Sequence, residues 1–329
     1  MPFPILRSSF VVLSEIISLL EPNEIVTASF CSKNVKRLLK RHYQRRKPSE
    51  WRLNMIDCQS HGRVEIAKIC GNNCQPVLLA KHTSDLKECK SIEINGYKKG
   101  FASKNAVIHF ENRVMGLKTI VDYAANLFSL DVHGILIDRN GNWAIDWINN
   151  RQETLIDYSW VDRNGGGDKE LNYVLRNARA SDNCAIEGSV SENFRFNGNL
   201  GPMRRLYILK NGHWVTLNNL IDFDVMSIFV KGSRISVSDI YSFLRHWRAG
   251  GSSRLKFLKL EFENDTVFGN FEEEVKVVKR GISAGYRLQI GGERHFHFDN
   301  GYGICGNGGR KALIQFEIRH FVIIVLNGK

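Results

Sequence analysis

The first helical segment of the chain is hydrophobic on two sides. Within residues 10–20 the only polar side chains are Ser14, Glu15 and Ser18, which fall on one narrow stripe at helical spacing. The usual core-facing positions are Leu13, Ile16, Ile17 and Leu20. Four apolar residues lie outside that set: Phe10, Val11, Val12 and Leu19. A helix with so much apolar surface is either buried or binds a partner.

Two more short helices are predicted after this one. Pro22 suits the first turn of a second helix, because its missing N–H would have no partner there. Ser32 is placed to cap a third helix, in which apolar residues recur at helical spacing. Three such helices bury little surface by themselves, so we expect residues 1–48 to dock on the rest of the chain or on another protein.

The pattern of residues 49–130 predicts a β-rich region that contains one helix. Short segments of alternating apolar and polar residues are separated by Gly, Asn and Ser turns, which is typical of strands. The stretch from Gly116 to Leu130 predicts the helix instead. Its apolar face holds Leu117, Val121, Ala124, Ala125 and Phe128.

Residues 131–266 show a looser repeat. Short apolar strands are predicted to begin near Gly134, Thr154, Cys184, Arg205, Ser227 and Lys256. Their starts are 20 to 30 residues apart, and helices predicted for residues 169–180 and 238–248 lie between some of them. This period falls in the leucine-rich-repeat range, although a strict ladder of Asn residues is missing. The region is therefore predicted to be a leucine-rich-repeat-like α/β domain.

The clearest unit of that region runs from Val225 to Phe262. A strand leads through Ser236, a good N-cap, into an amphipathic helix that Ala249, Gly250 and Gly251 end. The returning strand makes this a β-α-β unit, which favours parallel pairing. The tail, residues 267–329, alternates apolar and polar residues around Asn300-Gly301 and Asn307-Gly308-Gly309, and it predicts a C-terminal hairpin region that ends in a strand over residues 321–326.

Composition narrows the class of protein. The chain has 329 residues, of which 43% are hydrophobic and 24% charged, as in ordinary soluble globular proteins. No apolar run approaches the roughly 20 residues of a membrane span. The N-terminus lacks the ordered parts of a signal peptide, and the seven cysteines are scattered and odd in number. We therefore expect an intracellular protein, in the cytoplasm, the nucleus or both.

The net charge of +12 is concentrated near the N-terminus. Between Lys33 and Lys47 there are eight Lys or Arg residues and no acidic residue. Such a segment can bind nucleic acid or direct nuclear import, or it can be the solvated face of a helix that runs into a polar linker. Only one aromatic residue, Tyr43, interrupts the cations, so the solvated helix is favoured and nucleic acid is not the expected partner.

The candidate chemical motifs are weak. The G-x-G-x-x-G from Gly301 to Gly306 lacks the following helix and β-α-β unit that a dinucleotide site requires. His295 and His297 share one face of a predicted strand, and Cys70 and Cys74 are spaced C-x3-C, but neither pair has further ligands nearby. No nucleophile–base or carboxylate pair indicates catalysis. We predict no catalytic residue, cofactor or metal, with an enzyme site in the β-rich middle as an open alternative.

The N-terminal residues resemble an F-box, the helical module that binds a Skp-type adaptor in cullin–RING ubiquitin ligases. The resemblance rests on the segments Phe3-Pro4-Ile5-Leu6-Arg7, Glu15-Ile16-Ile17-Ser18-Leu19-Leu20, Glu21-Pro22-Asn23-Glu24-Ile25-Val26 and Ser29-Phe30-Cys31-Ser32-Lys33. The variant is similar to that of the large nematode F-box set. Ser8-Ser9 replaces the Leu-Pro pair common before the first F-box helix, which is expected to weaken adaptor binding.

The second half of the chain resembles the type 2 F-box-associated domain of the same proteins. The matching segments are Trp214-Val215-Thr216-Leu217, Ser238 to Trp247 with Gly250-Gly251, and Leu255-Lys256-Phe257-Leu258. The upstream run from Trp143 to Asn150 also resembles these proteins. With the N-terminal segments, the resemblance covers most of the chain.

The pattern and the resemblance together predict an α+β or α/β chain in four parts. These are an F-box of three helices (1–48), the β-rich region with a helix (49–130), the repeat-like region with the F-box-associated domain at about 200–266 (131–266), and the hairpin tail (267–329). It implies a non-catalytic substrate receptor of a ubiquitin ligase, which binds a Skp-type adaptor, through it a cullin, and an unknown protein substrate. The implied adaptor-binding residues are Pro4, Leu6, Val12, Leu13, Ile16, Ile17, Leu20, Pro22, Ile25 and Phe30. The alternative is a non-ligase interaction or nucleic-acid-binding protein that uses the segment Lys33–Lys47.

Overall fold

A computed structural model describes residues 9–326, apart from 59–60, 69–73, 86–91, 95–96, 103–104, 163–164, 270 and 290–292. The chain forms two compact units, Met1–Gly141 and Asn142–Lys329, called here the N-terminal and the C-terminal unit. Both units combine helices with a sheet, so the predicted α+β class is confirmed.

Three helices open the N-terminal unit: α1 (Phe10–Ser18), α2 (Pro22–Cys31) and α3 (Lys33–Arg45). Local signals set where they begin. Pro22 is the first residue of α2, as predicted. The Ser32 hydroxyl accepts a hydrogen bond from the Val35 N–H (3.1 Å), as expected of an N-cap. Ser9 caps α1 with a longer bond of 3.5 Å from the Val12 N–H.

A sheet and one long helix complete this unit. The strands are β1 (Trp51–Cys58), β2 (His61–Lys68), β3 (Cys74–His82), β4 (Ile92–Ile94), β5 (Tyr97–Ala102), β6 (Asn105–Phe110) and β7 (Val132–Ile137), and the helix is α4 (Arg113–Phe128). The strand order is β7-β1-β2-β3-β6-β5-β4, with β1–β7 and β3–β6 parallel. The predicted face of α4 is buried, and the helix begins at Arg113, three residues before the predicted start, because Asn112 caps it.

Aromatic rings join α2 and α3 to the rest of the N-terminal unit. Tyr43 on α3 packs edge-on against Phe128 of α4, with ring centroids 5.3 Å apart, and Trp51 lies 5.5 Å from the same ring. Phe30 on α2 stacks on Tyr123 at 4.9 Å. Helices α2 and α3 therefore dock on α4 of their own chain.

The C-terminal unit is built on parallel strands that follow chain order. These are β8 (Leu155–Asp162), β9 (Ala180–Gly188), β10 (Met203–Ile208), β11 (Val225–Ser233) and β12 (Phe257–Phe262), each parallel to the next. The helices are α5 (Trp143–Arg151), α6 (Asp168–Asn177), α7 (Leu217–Asp222), α8 (Val237–Arg248) and α9 (Phe271–Val275). The predicted parallel pairing across α8 is confirmed.

The tail extends this sheet with antiparallel strands, as its pattern predicts. They are β13 (Lys279–Gln289), β14 (Glu293–Cys305), β15 (Lys311–Glu317) and β16 (His320–Leu326), and β16 pairs with β12. The turn predicted at Asn300-Gly301 is wrong, because both residues lie inside β14. The β13–β14 register shifts between Ile282 and Ala284, so this dipeptide lies at a bulge.

The two faces of the C-terminal sheet differ. Val230 and Ile208 face the 3-10 turn at Gly212–Trp214, since a Cβ added to Gly212 would meet both side chains. By strand alternation the neighbouring residues point to the opposite face. There a buried cluster forms from Tyr207, Phe229, Phe257, Val322 and Ile324.

Candidate functional site

The exposed large apolar residues that the structure describes in the three-helix module lie on α1 and at its C-cap. Val11 is 70% exposed and Leu19 is 83% exposed, and Phe10 and Val12 are also exposed. These four residues, called here the α1 surface, are the ones that the sequence pattern left outside the core-facing set. Single exposed apolar residues are common in proteins, but three on a helix of nine residues and a fourth at its C-cap are a concentration typical of a protein–protein contact.

The residues predicted to bind an adaptor occupy different environments. Val12 belongs to the α1 surface, and Ile16, Leu20 and Phe30 are half-buried. Four more are buried inside the N-terminal unit: Leu13, Ile17, Pro22 and Ile25. Pro4 and Leu6 lie outside the described residues. The structure thus brings Val12, Ile16 and Leu19 together at helical spacing on one stripe.

A buried polar contact fixes α1 to α3. Ser14 is 1% exposed, and its hydroxyl lies 3.3 Å from Nδ1 of His42. Burial, and secondly the charge of Arg46, lower the pKa of His42. The imidazole is therefore neutral at physiological pH, and the contact holds the α1 surface in place without a buried charge.

The basic helix α3 borders the α1 surface. The guanidinium of Arg45 lies 5.2 Å from the centre of the Phe10 ring, and the Lys36 ammonium lies 4.2 Å from that of Tyr123. Burial, followed by repulsion from Lys40, lowers the pKa of Lys36. Among the described residues, no acidic side chain forms an ion pair with the cations from Lys33 to Lys47, so their charge remains available to a partner.

A second surface lies in the C-terminal unit, where the parallel strands end. A groove of about 630 Å³ is bounded there by residues at the ends of β9 to β12 and by the turn before β16. Carboxyl ends of parallel strands are where open α/β sheets bind ligands. Leu209 and Phe262 supply its apolar lining, and Leu209 also packs against the buried cluster of Tyr207 and Phe229.

Ion pairs tie together the loops around this groove. Arg234, just after β11, contacts both Glu192 and Glu263, which belong to the loops after β9 and β12. Hydrogen bonds from Arg234 lower the pKa of both carboxyls. These exposed groups are screened by water, so we assign them a role in loop placement and little net stability.

A bulge shapes the same edge. Gly232 adopts φ +74°, a conformation that favours glycine, and the β11–β12 register shifts between Lys231 and Ser233. Bulges of this kind redirect neighbouring side chains and are common beside binding sites.

Sequence reasoning missed the groove. Its charged residues Glu187, Lys210 and Lys231 carry no motif, and the strand register alone places the first and last on the two strands that flank β10. The only signal in the sequence is the alternation of outward-facing charged residues along short strands.

The described residues do not support the metal site, reactive cysteine or dinucleotide-binding motif that the sequence motifs raised. They contain no group of three or more His, Cys, Asp or Glu side chains that could hold a metal ion. The side chains of His295 and His297, and all of Cys70, lie outside the described part. Burial raises the pKa of the Cys58 and Cys184 thiols to about 12, so neither is an activated nucleophile. After Gly306 come a 3-10 turn and a strand, which do not form a dinucleotide-binding unit.

Within the part of the chain that the structure describes, no helix is both long and apolar enough to cross a membrane.

Comparison with known proteins and protein families gives a match for one segment of the chain. No curated protein and no solved structure matches the chain. The matched segment, residues 196–260, holds β10, α7, β11, α8 and most of β12, and so contributes much of the groove. Residues 196–260 match the F-box associated family.

Proposed function

We propose that the chain is a substrate-recognition subunit of an F-box-type ubiquitin ligase. The observation that carries the proposal is the F-box associated match at residues 196–260. Domains of this family suggest a substrate-recognition role in general, and an F-box at the N-terminus would supply the attachment to the ligase. The resemblance to nematode F-box proteins and the repeat-like stacking of β8 to β12 belong to the same proposal.

In this proposal the α1 surface is the centre of the adaptor contact. Val12, Ile16 and Leu19 offer an apolar stripe to a groove on a Skp-type adaptor, as amphipathic helices do in helix-in-groove complexes. The buried residues predicted for the contact act indirectly, because Leu13, Ile17 and Ile25 fix the helices that carry the stripe. Pro4 and Leu6 would extend the contact along the segment before α1.

The chain itself performs no chemistry in this proposal. The adaptor attaches it to a cullin, and the C-terminal unit holds a target protein near the recruited ubiquitin-conjugating enzyme. The gain in rate comes from proximity. The complex would work in the cytoplasm, the nucleus or both.

The test is capture of the full chain by a purified Skp-type adaptor. Val12→Asp with Leu19→Asp places two charges on the α1 surface, and we expect capture to weaken about thirtyfold or more, as when hot-spot side chains are lost. A matched control is Val267→Asp with Ile318→Asp, which changes two side chains of the C-terminal unit that are 85% and 67% exposed. Capture by the control and not by the α1 variant supports the proposal. No capture of the wild type, or equal capture of both variants, overturns it.

A second candidate function is nucleic-acid binding through α3. It is favoured by the cations from Lys33 to Lys47, which form no ion pair with the described residues. Affinity for duplex DNA or RNA should then fall steeply with salt, since each phosphate contact releases a counterion. Substituting Arg37 and Arg41, both exposed on α3, by Glu would abolish that binding and leave adaptor capture intact.

A further inference from the structure

We propose that the groove at the carboxyl ends of β9 to β12 binds an extended peptide segment of the target protein that carries acidic residues beside an aliphatic one. The inference rests on the proposed function, because it names the class of target that the receptor would hold. Shape, charge and neighbouring apolar surface support it separately.

The groove has an apolar floor and an open top. Leu209 packs against the buried cluster that includes Tyr207 and Phe229, which are 3% and 6% exposed, so the floor is anchored in the sheet. The strand register places Glu187, Lys231 and Glu261 in one row across neighbouring strands, on the face opposite Gly212–Trp214. A row of side chains that crosses the strand ends suits an extended chain laid over them.

The free charge in the groove is mainly positive. Most charged side chains there already have partners: Glu263 contacts Arg234, Glu261 lies 2.9 Å from Lys259, and Arg319 lies 2.7 Å from Asp265.

Among the described residues, Lys210 and Lys231 form no ion pair, and neither does Glu187 at the other end of the row. An acidic side chain of a ligand is therefore attracted to the Lys210–Lys231 side and repelled from the Glu187 side. This also gives the bound segment a direction across the groove.

Apolar surface lies beside the groove. The Thr266 N–H donates a hydrogen bond to the Ile318 carbonyl (2.7 Å), which brings the loop after β12 to the β15–β16 turn. Val267 and Ile318 are 85% and 67% exposed at this junction, next to the groove residue Arg319. Two exposed aliphatic side chains at the rim, outside any enclosed pocket, fit an aliphatic residue of a polypeptide better than a small molecule.

The experiment selects ligands without assuming a target. A random peptide library displayed on phage is selected on the immobilised full chain, and enriched peptides are then measured by fluorescence anisotropy. We expect enrichment of peptides with Asp or Glu next to Leu, Ile or Val. Lys210→Glu with Lys231→Glu should weaken their binding about tenfold or more, because two attractive contacts become repulsive. Lys169→Glu with Lys311→Glu, at exposed positions away from the groove, is the control with the same charge change and should bind normally.

Three outcomes would overturn the inference: no peptide is enriched, the enriched peptides have no acidic excess, or the groove and control variants lose the same affinity. Adaptor capture is measured on the same variants. Since it depends on the α1 surface, a groove variant that loses peptides should still be captured. Failure at the groove is thereby distinguishable from failure of the proposed ligase role.

Discussion

Helices α1 and α8 use their apolar residues differently. Both begin after a serine cap, Ser9 and Ser236. On α8 the whole apolar stripe is at most 1% exposed: Ile240, Phe243, Leu244 and Trp247. Of the core-facing positions in and just after α1, Leu13 and Ile17 are buried and Ile16 and Leu20 are half-buried, while the α1 surface is open to solvent.

The apolar residues of α8 stabilise the folded unit, whereas those of the α1 surface are available for binding. Every large apolar side chain in the α8 stripe is already used inside the C-terminal unit, so a change there should alter stability first. The α1 surface contributes little to its own unit, and its burial would release hydrophobic free energy only in a complex. Substitutions in the two helices should therefore give opposite phenotypes.

The largest expected effect is in α8. Trp247→Ala removes a fully buried indole over which the Arg310 guanidinium lies at 4.7 Å. It should lower the free energy of unfolding by about 3–5 kcal/mol. Urea unfolding followed by circular dichroism measures this change. A loss below about 1 kcal/mol would mean that α8 is not part of the core.

The same contrast can be tested within α1. Ile17 is 4% exposed, so Ile17→Ala should cost about 2–4 kcal/mol of unfolding free energy. Leu19→Ala, at an exposed position two residues away, should change it by no more than about 0.5 kcal/mol and weaken adaptor capture instead. Equal destabilisation by both changes would show that Leu19 is covered within the chain.

The helix caps give a smaller effect. Ser236 and Asp239 form a reciprocal capping box, with the Ser236 hydroxyl 3.1 Å from the Asp239 N–H. Ser236→Ala should cost about 1 kcal/mol, whereas Ser9→Ala should cost only a few tenths, since its bond is 3.5 Å long. Thermal unfolding of the two variants would rank the caps, and the reverse order would contradict the comparison.

The smallest effect on stability at neutral pH is expected from the ionisation of buried cysteine thiols. Burial raises the pKa of Cys184 to about 12, and an acid group whose pKa is raised on folding favours the fold while it stays protonated. The stability that protonated Cys184 contributes is therefore fully present below the ordinary thiol pKa. It is lost as the pH rises from that value toward 12. Iodoacetamide should modify the exposed Cys31 in the folded chain and reach Cys184 only after unfolding. Modification of Cys184 at pH 8 without denaturant would contradict this.

Much of the fold follows from local signals in the sequence. The helix predicted for residues 238–248 is found at Val237–Arg248, because Ser236 and Gly250 mark both ends. The repeating strands were also predictable, since each is a short apolar run between turns. The error at Asn300-Gly301 has the same origin, because this dipeptide suits a bulge as well as a turn and only the pairing partner decides.

The candidate surfaces were predictable to different degrees. The second apolar side of α1 follows from spacing along one helix. The burial of Pro22 and Ile25 does not, because it depends on packing in the N-terminal unit. The groove depends on pairing between β12 and β16, whose residues Glu261 and His320 are far apart in sequence. No pattern within a short window contains that information.

The chain-order arrangement of β8 to β12 has a consequence for how much the loops at the carboxyl edge can change. Each strand pairs with its predecessor and successor in the chain, so every loop at the carboxyl edge starts and ends on neighbouring strands. An insertion in one of these loops leaves the registers of the other strand pairs unchanged. The loops that line the groove can therefore vary in length and sequence while the sheet that carries them keeps its pairing.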